Sequence, residues 1–142
     1  MNKVIASFPT SGNIISVEQN MQDIIDIMTR TVLMTSEYFK MDPIIEFDVC
    51  EMSEDQGFTP LAYFSHMYDD LYLIELNKRW LATATRGEIV CVVSHEMVHV
   101  MQHLRGDKEV GHVTGLDYIF AADEREARGY EMAFEEMELT YV

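Results

Sequence analysis

The stretch from Thr85 to Gly106, TRGEIVCVVSHEMVHVMQHLRG, limits what this chain can fold into more than any other. Thr85-x-x-Glu88 has the spacing of a capping box, in which a hydroxyl and a carboxylate three residues apart satisfy the free N–H groups at a helix start. Arg105-Gly106 reads as the other end, with a glycine that can turn left-handed just past the last basic residue. Between them lie about 20 residues, or roughly 30 Å of helix. The middle of that helix, Ile89 to Val93, is apolar on every side. Such a helix needs neighbours all round and has to run through the centre of a domain.

The same helix carries His95, Glu96, His99 and His103. Burying imidazoles and a carboxylate without partners is costly, so the pattern asks for a use. Positions i and i+4 lie about 6 Å apart and about 40° round the axis. His95 and His99 can therefore present their rings to one zinc ion. Glu96 is rotated about 100° from His95, which makes it a poor ligand. It can instead reach a water held by the metal, where a general base belongs. Zinc with three protein ligands keeps a fourth position for water and lowers its pKa toward about 7. His103 continues the series, but eight residues of straight helix put it about 12 Å from His95 along the axis. It is expected to support the site or face the surface, not to ligate.

The rest of the chain supplies a small domain around this helix. Ser16-x-x-Gln19 fits a second capping box, and apolar residues follow at helical spacing from Val17 to Phe39, until Asp42-Pro43 stops the helix. Ile44 to Met52 alternates like a half-buried strand. Gln56 to Pro60 is a turn or loop, and Leu61–Met67 and Leu71–Asn77 read as a hairpin around Tyr68-Asp69-Asp70. A last helix starts near Asp117 or Ala122 and runs to Glu138. With 142 residues, 48% of them hydrophobic, the chain is expected to form one α+β domain spanning residues 1–142. Its order is an N-terminal helix, a small antiparallel or mixed sheet, the central helix and a C-terminal helix.

Exclusions follow from charge and hydropathy. The formal net charge of −15 repels phosphates, so nucleic acid is not an expected partner. No apolar run is long enough to span a membrane, and the first residues lack the stretch of a signal peptide. Cys50 and Cys91 have no metal-type spacing and read as small core residues. An intracellular, cytoplasmic location is the expectation.

A third ligand should come from the last helix, where ADEREARGYE offers Asp123, Glu124 and Glu126. Small Ala122 and Ala127 there would let two helices approach closely. HEMVHVMQHLRGD followed by EREARGYE resembles small zincin-like metallopeptidases of the gluzincin type, closest to short members in bacteriophage and bacterial genomes. The resemblance covers residues from about 71 to 131. It implies a minimal zincin-like fold, one Zn²⁺ ion and hydrolysis of peptide bonds, in host cytoplasm if the chain is of phage origin. It also implies that Glu124, the first glutamate of the second motif, is the third ligand. A helical wheel points elsewhere: the apolar side of that helix, with Ile119, Ala122, Tyr130, Ala133, Phe134 and Met137, centres nearer Glu126 and Asp123. Relatives of this type often place an aspartate or asparagine four residues after the ligand to orient a histidine. Arg128 stands there instead, which favours Glu126 or a differently built support.

The resemblance further implies that LYLIELN, residues 71–77, is the edge strand along which an extended substrate pairs. Tyr130, Tyr118 or His112 would supply a hydrogen bond to the oxyanion. Two other readings compete with a zinc metallopeptidase acting on a peptide or protein. One is a zinc-binding protein of the same fold that works as a binding or regulatory module without catalysis. The other is an acidic inhibitor that mimics nucleic acid, which leaves HEMVH unexplained.

Overall fold

A computed structural model describes residues 3–6, 21–52, 59–107 and 122–140. Along these run β1 (Lys3–Ala6), α1 (Met21–Phe39), β2 (Ile44–Cys50), β3 (Ala62–Tyr68), β4 (Leu71–Asn77), α2 (Lys78–Leu81), α3 (Arg86–Arg105) and α4 (Ala122–Thr140). The class is α+β with a mixed sheet. The expected capping box at Ser16, the turn at Gln56 and a helix start at Asp117 fall outside the described residues.

The four strands lie in the order β1-β2-β4-β3. β1 and β2 are parallel, β2 and β4 are parallel, and β3 runs antiparallel to β4. Two of these facts correct the sequence reading. A strand precedes the first helix, so β1-α1-β2 is a parallel pair joined by a helix. And β4 is not an edge: it pairs with β2 on one side and β3 on the other, which puts β3 outermost. The residues of β4 explain this. Tyr72, Ile74 and Leu76 are fully buried on one face, while Leu71 and Leu73 put apolar surface on the other. Two apolar faces suit an interior strand better than an edge.

The helices cover one face of the sheet. Ile45, Phe47 and Val49 of β2 and the buried stripe of β4 meet Ile24, Met28 and Val32 of α1 and Ile89, Val93 and Met97 of α3 in one core. Ala127 and Phe134 bring α4 into it from the far side of α3. Alternate residues on the other face of β2 and β4 are only half-buried. Each fully buried aliphatic side chain of this core contributes about 1.5–3 kcal/mol by leaving water.

Helix ends follow the sequence closely. The Thr85 hydroxyl accepts from Glu88 N–H at 3.2 Å, and the Glu88 carboxylate accepts from Thr85 N–H at 2.9 Å. At the other end Gly106 takes φ 93°, with Gly106 N–H donating to His103 O and Asp107 N–H to Gln102 O. That is the left-handed stop that glycine favours. α1 ends in the same way, with Lys40 at φ 54° and Met41 N–H donating to Ser36 O. Here the stop is set before Pro43, by a residue that pays for the left-handed turn. α2 follows β4 without a loop because the Asn77 side chain accepts from Arg79 and Trp80 N–H.

Neither cysteine is in the core. Both are half-buried, and each thiol lies against a carboxylate, Glu75 for Cys50 and Glu135 for Cys91. Burial and those carboxylates push the thiols up to about 11 and about 12, so neither is a thiolate at neutral pH. No helix among the described residues is long and apolar enough to cross a membrane.

Candidate metal centre

Every residue of α3 from Val93 to Val100 is buried, between the sheet on one side and α1 and α4 on the others. One helical turn separates His95 from His99, and their rings stand almost perpendicular with centroids 4.9 Å apart. Both turn Nε2 toward α4. There Glu124 meets them, with its carboxylate 2.7 Å from His95 Nε2 and 3.0 Å from His99 Nε2. The three side chains are 8%, 2% and 2% exposed. Their ligand atoms all lie within 4.8 Å of one another, a grouping that could hold a metal ion.

The donor set fits a divalent cation on chemical grounds. Two imidazole nitrogens and a carboxylate place lone pairs face to face in a largely buried space. Such a group is stable only around positive charge, either protons or a metal. Two imidazoles and one carboxylate are also a donor set that open zinc sites use. Without a metal, protons do the work. Burial disfavours the His95 imidazolium, but the carboxylates of Glu124, Glu131 and Glu96 outweigh it and raise the pKa to about 10. His99 is raised for the same reason, with Glu124 its main partner against burial. Burial works against the Glu124 carboxylate, yet its bonds to the two rings bring it down to about 2.

Glu96 is 6% exposed and follows His95 on the same helix. Burial raises its pKa, although the charges of His95 and His99 pull the other way. It is near enough to feel both rings and Glu124, yet it is not part of the ligand grouping.

Of Asp123, Glu124 and Glu126, Glu124 is the one brought to the histidines. Glu126 instead accepts from Gln102 at 2.8 Å and from Arg105 at 2.8 and 3.2 Å. Asp123 contributes its backbone carbonyl, which accepts from Gln102 at 2.9 Å. The helical wheel is only partly followed: Phe134, Tyr130 and Met137 of its apolar side do pack on the core, but the packed face extends round to Glu124. Ala122 and Ala133 are exposed, while Glu124, Ala127 and Phe134 are buried against α3. Of the two small residues expected between the helices, only Ala127 lies there.

Support for the rings comes from two residues that the sequence reading did not single out. His99 Nδ1 lies 2.7 Å from Gln102 Oε1, and His95 Nδ1 lies 3.4 Å from Glu131 Oε2. Gln102 is three residues after His99, and Glu131 is seven after Glu124. Both spacings return to the same helix face, so the signal was present in the sequence. The ring contacts come from Gln102 and Glu131, and not from Arg128, four residues after Glu124.

His103 turns away from the grouping and toward the sheet. Its Nδ1 is 2.7 Å from the Tyr72 hydroxyl, and its ring lies 4.4 Å from that of His66. Phe64 of β3 stacks on His99, with ring centroids 5.6 Å apart. The ring of Tyr130 packs with Tyr38, Phe39 and Phe134 at the end of α1. Tyr118 and His112 lie outside the described residues.

Comparison with protein families, with characterised proteins and with solved structures finds no match for this chain. The chemistry of the centre is therefore read from its own geometry.

Proposed function

We propose that this chain is a zinc-dependent peptidase of the zincin-like, gluzincin type, with His95, His99 and Glu124 holding one zinc ion and Glu96 acting as general base. The observation that carries this reading is the buried meeting of two Nε2 atoms and one carboxylate beside a glutamate whose pKa burial raises. A buried ion pair alone leaves Glu96 without a role, whereas hydrolysis uses every member of the arrangement.

Zinc bound there supplies a Lewis acid for the reacting carbonyl and for water. Glu96 takes the proton from the attacking water as the new C–O bond forms. It then delivers that proton to the amine nitrogen as the C–N bond breaks. A carboxyl group with a raised pKa suits both halves of this task better than an ordinary surface glutamate. The substrate side is best sought along β3. It is the outermost strand on that side of the sheet, and its Phe64 leans on His99. An extended peptide can add to such an edge by backbone hydrogen bonds.

Glu96→Gln tests the assignment. Zinc content should stay unchanged while turnover of a peptide library falls by about 10²–10⁴-fold. A wild-type chain that holds zinc and cleaves nothing would contradict the peptidase reading and favour a binding module on the same metal centre.

A further inference from the structure

The side chain of Gln102 is fully buried and has three polar partners of known character. Its amide nitrogen donates to the Asp123 carbonyl at 2.9 Å and to the Glu126 carboxylate at 2.8 Å. Neither partner can donate in return. An amide has two N–H donors at one end and only lone pairs at the other. Turning it over would press its oxygen against a carbonyl and a carboxylate. Its orientation is therefore dictated by its partners, and Oε1 has to face His99 Nδ1, 2.7 Å away.

That orientation decides where the histidine keeps its proton. An oxygen facing Nδ1 at hydrogen-bond distance can only accept, so Nδ1 must carry the hydrogen. In the neutral ring Nε2 is then bare, with its lone pair toward Glu124 and His95. We infer that Gln102 is a positioning residue that fixes His99 in the tautomer able to ligate a metal through Nε2, and that Glu126 and Arg105 act by holding Gln102 the right way round. This inference rests on the metal-centre reading above.

The outer part of the chain is built for that purpose. Arg105 reaches Glu126 through both Nη atoms, at 2.8 and 3.2 Å, and also bonds Asp107. The Arg105 guanidinium, with the Gln102 amide, holds the Glu126 carboxyl below the usual carboxylate range. A line of contacts runs from the exposed Arg105 at the end of α3, through Glu126, to a buried amide and then to the ring.

A neutral amide is also the right kind of group for this place. Glu96 and Glu124 are already buried near His99. A third buried carboxylate beside Glu126 would add repulsion and desolvation without a new cation. His95 is treated differently. Its Nδ1 meets Glu131, a partly exposed carboxylate, at 3.4 Å. The two rings are held unequally, with His99 the tighter.

The test uses Co²⁺ as the bound probe, in wild-type protein, Gln102→Leu and Glu126→Ala. Affinity is measured by chelator competition. The N–H protons of the ligating rings are followed as exchangeable, strongly shifted signals in the proton NMR spectrum. Wild type should show two such signals. Gln102→Leu should bind about 10–100-fold more weakly and lose one of them to solvent exchange. Glu126→Ala, altered near the surface, should bind with a smaller loss and show faster exchange of the same proton.

Wild-type affinity with both N–H signals in Gln102→Leu would overturn the inference and leave the metal centre standing. If that variant does not fold, wild-type affinity and exchange in Glu126→Ala would overturn it equally. A wild-type chain that takes up neither Co²⁺ nor Zn²⁺ would sink the metal centre itself, and this inference with it.

Discussion

Glu131 stands two helical turns beyond Glu124 on α4, and its carboxylate lies 3.4 Å from Nδ1 of the histidine whose Nε2 faces Glu124. One face of one helix therefore addresses both nitrogens of His95.

Removing that outer contact should loosen the ring without abolishing the site. Glu131→Ala is expected to weaken zinc binding by about 10-fold, the low end of what such supporting contacts contribute. The effect should be smaller than that of Gln102→Leu, because the Glu131 contact is longer and more exposed. Calorimetric or competition titration with zinc checks this, and a larger loss in Glu131→Ala would reverse the order argued here.

How far the sequence discloses this arrangement depends on whether the deciding contacts are local. The ends of α3 are local, and Thr85, Glu88 and Gly106 mark them correctly. The hairpin of β3 and β4 is also legible, because Asp69 and Asp70 sit between two alternating runs. The position of β4 inside the sheet is not. It depends on β2 pairing across an intervening strand, and nothing within residues 71–77 points to that neighbour. β1 is four residues long, too short to show a period. The wheel centres on Glu126 and Asp123, and not on the Glu124 that meets the histidines, for a related reason. The buried face of α4 is defined by α3 and its two histidines, so a glutamate occupies what a hydropathy argument reserves for apolar residues.

The metal-free protein should show a characteristic dependence of stability on pH. The His95 pKa rises from 6.5 to about 10, so its contribution is complete below about 6.5 and is lost as pH rises through about 10. The Glu124 pKa falls from 4.5 to about 2, so its contribution is present above about 4.5 and is lost as pH falls through about 2. Thermal unfolding of metal-free protein, compared with Glu124→Gln, should show the largest difference between those two limits. Zinc uptake should tighten with rising pH, since the rings must release protons to bind it. An equal stability difference at about pH 6, inside that window, and at about pH 10, where the His95 contribution is lost, would contradict the pairing.

Lys40 offers a test of backbone strain away from the centre. It ends α1 with φ 54°, a conformation that costs a residue with a side chain about 1 kcal/mol. Lys40→Gly should therefore raise stability by up to about 1 kcal/mol, reduced by the extra freedom glycine gains when unfolded. Denaturant unfolding measures it, and a clear loss of stability would mean that the Lys40 side chain matters more than its backbone.

The most direct test of the account is the zinc content of the chain, purified without a histidine tag and equilibrated with zinc. Wild type and Glu96→Gln should each hold about one equivalent, as a single open site with three protein ligands requires, while His99→Ala and Glu124→Ala should hold none. A wild-type chain that binds no zinc and gains no stability from it would mean that His95, His99 and Glu124 form a buried ion pair and not a metal centre.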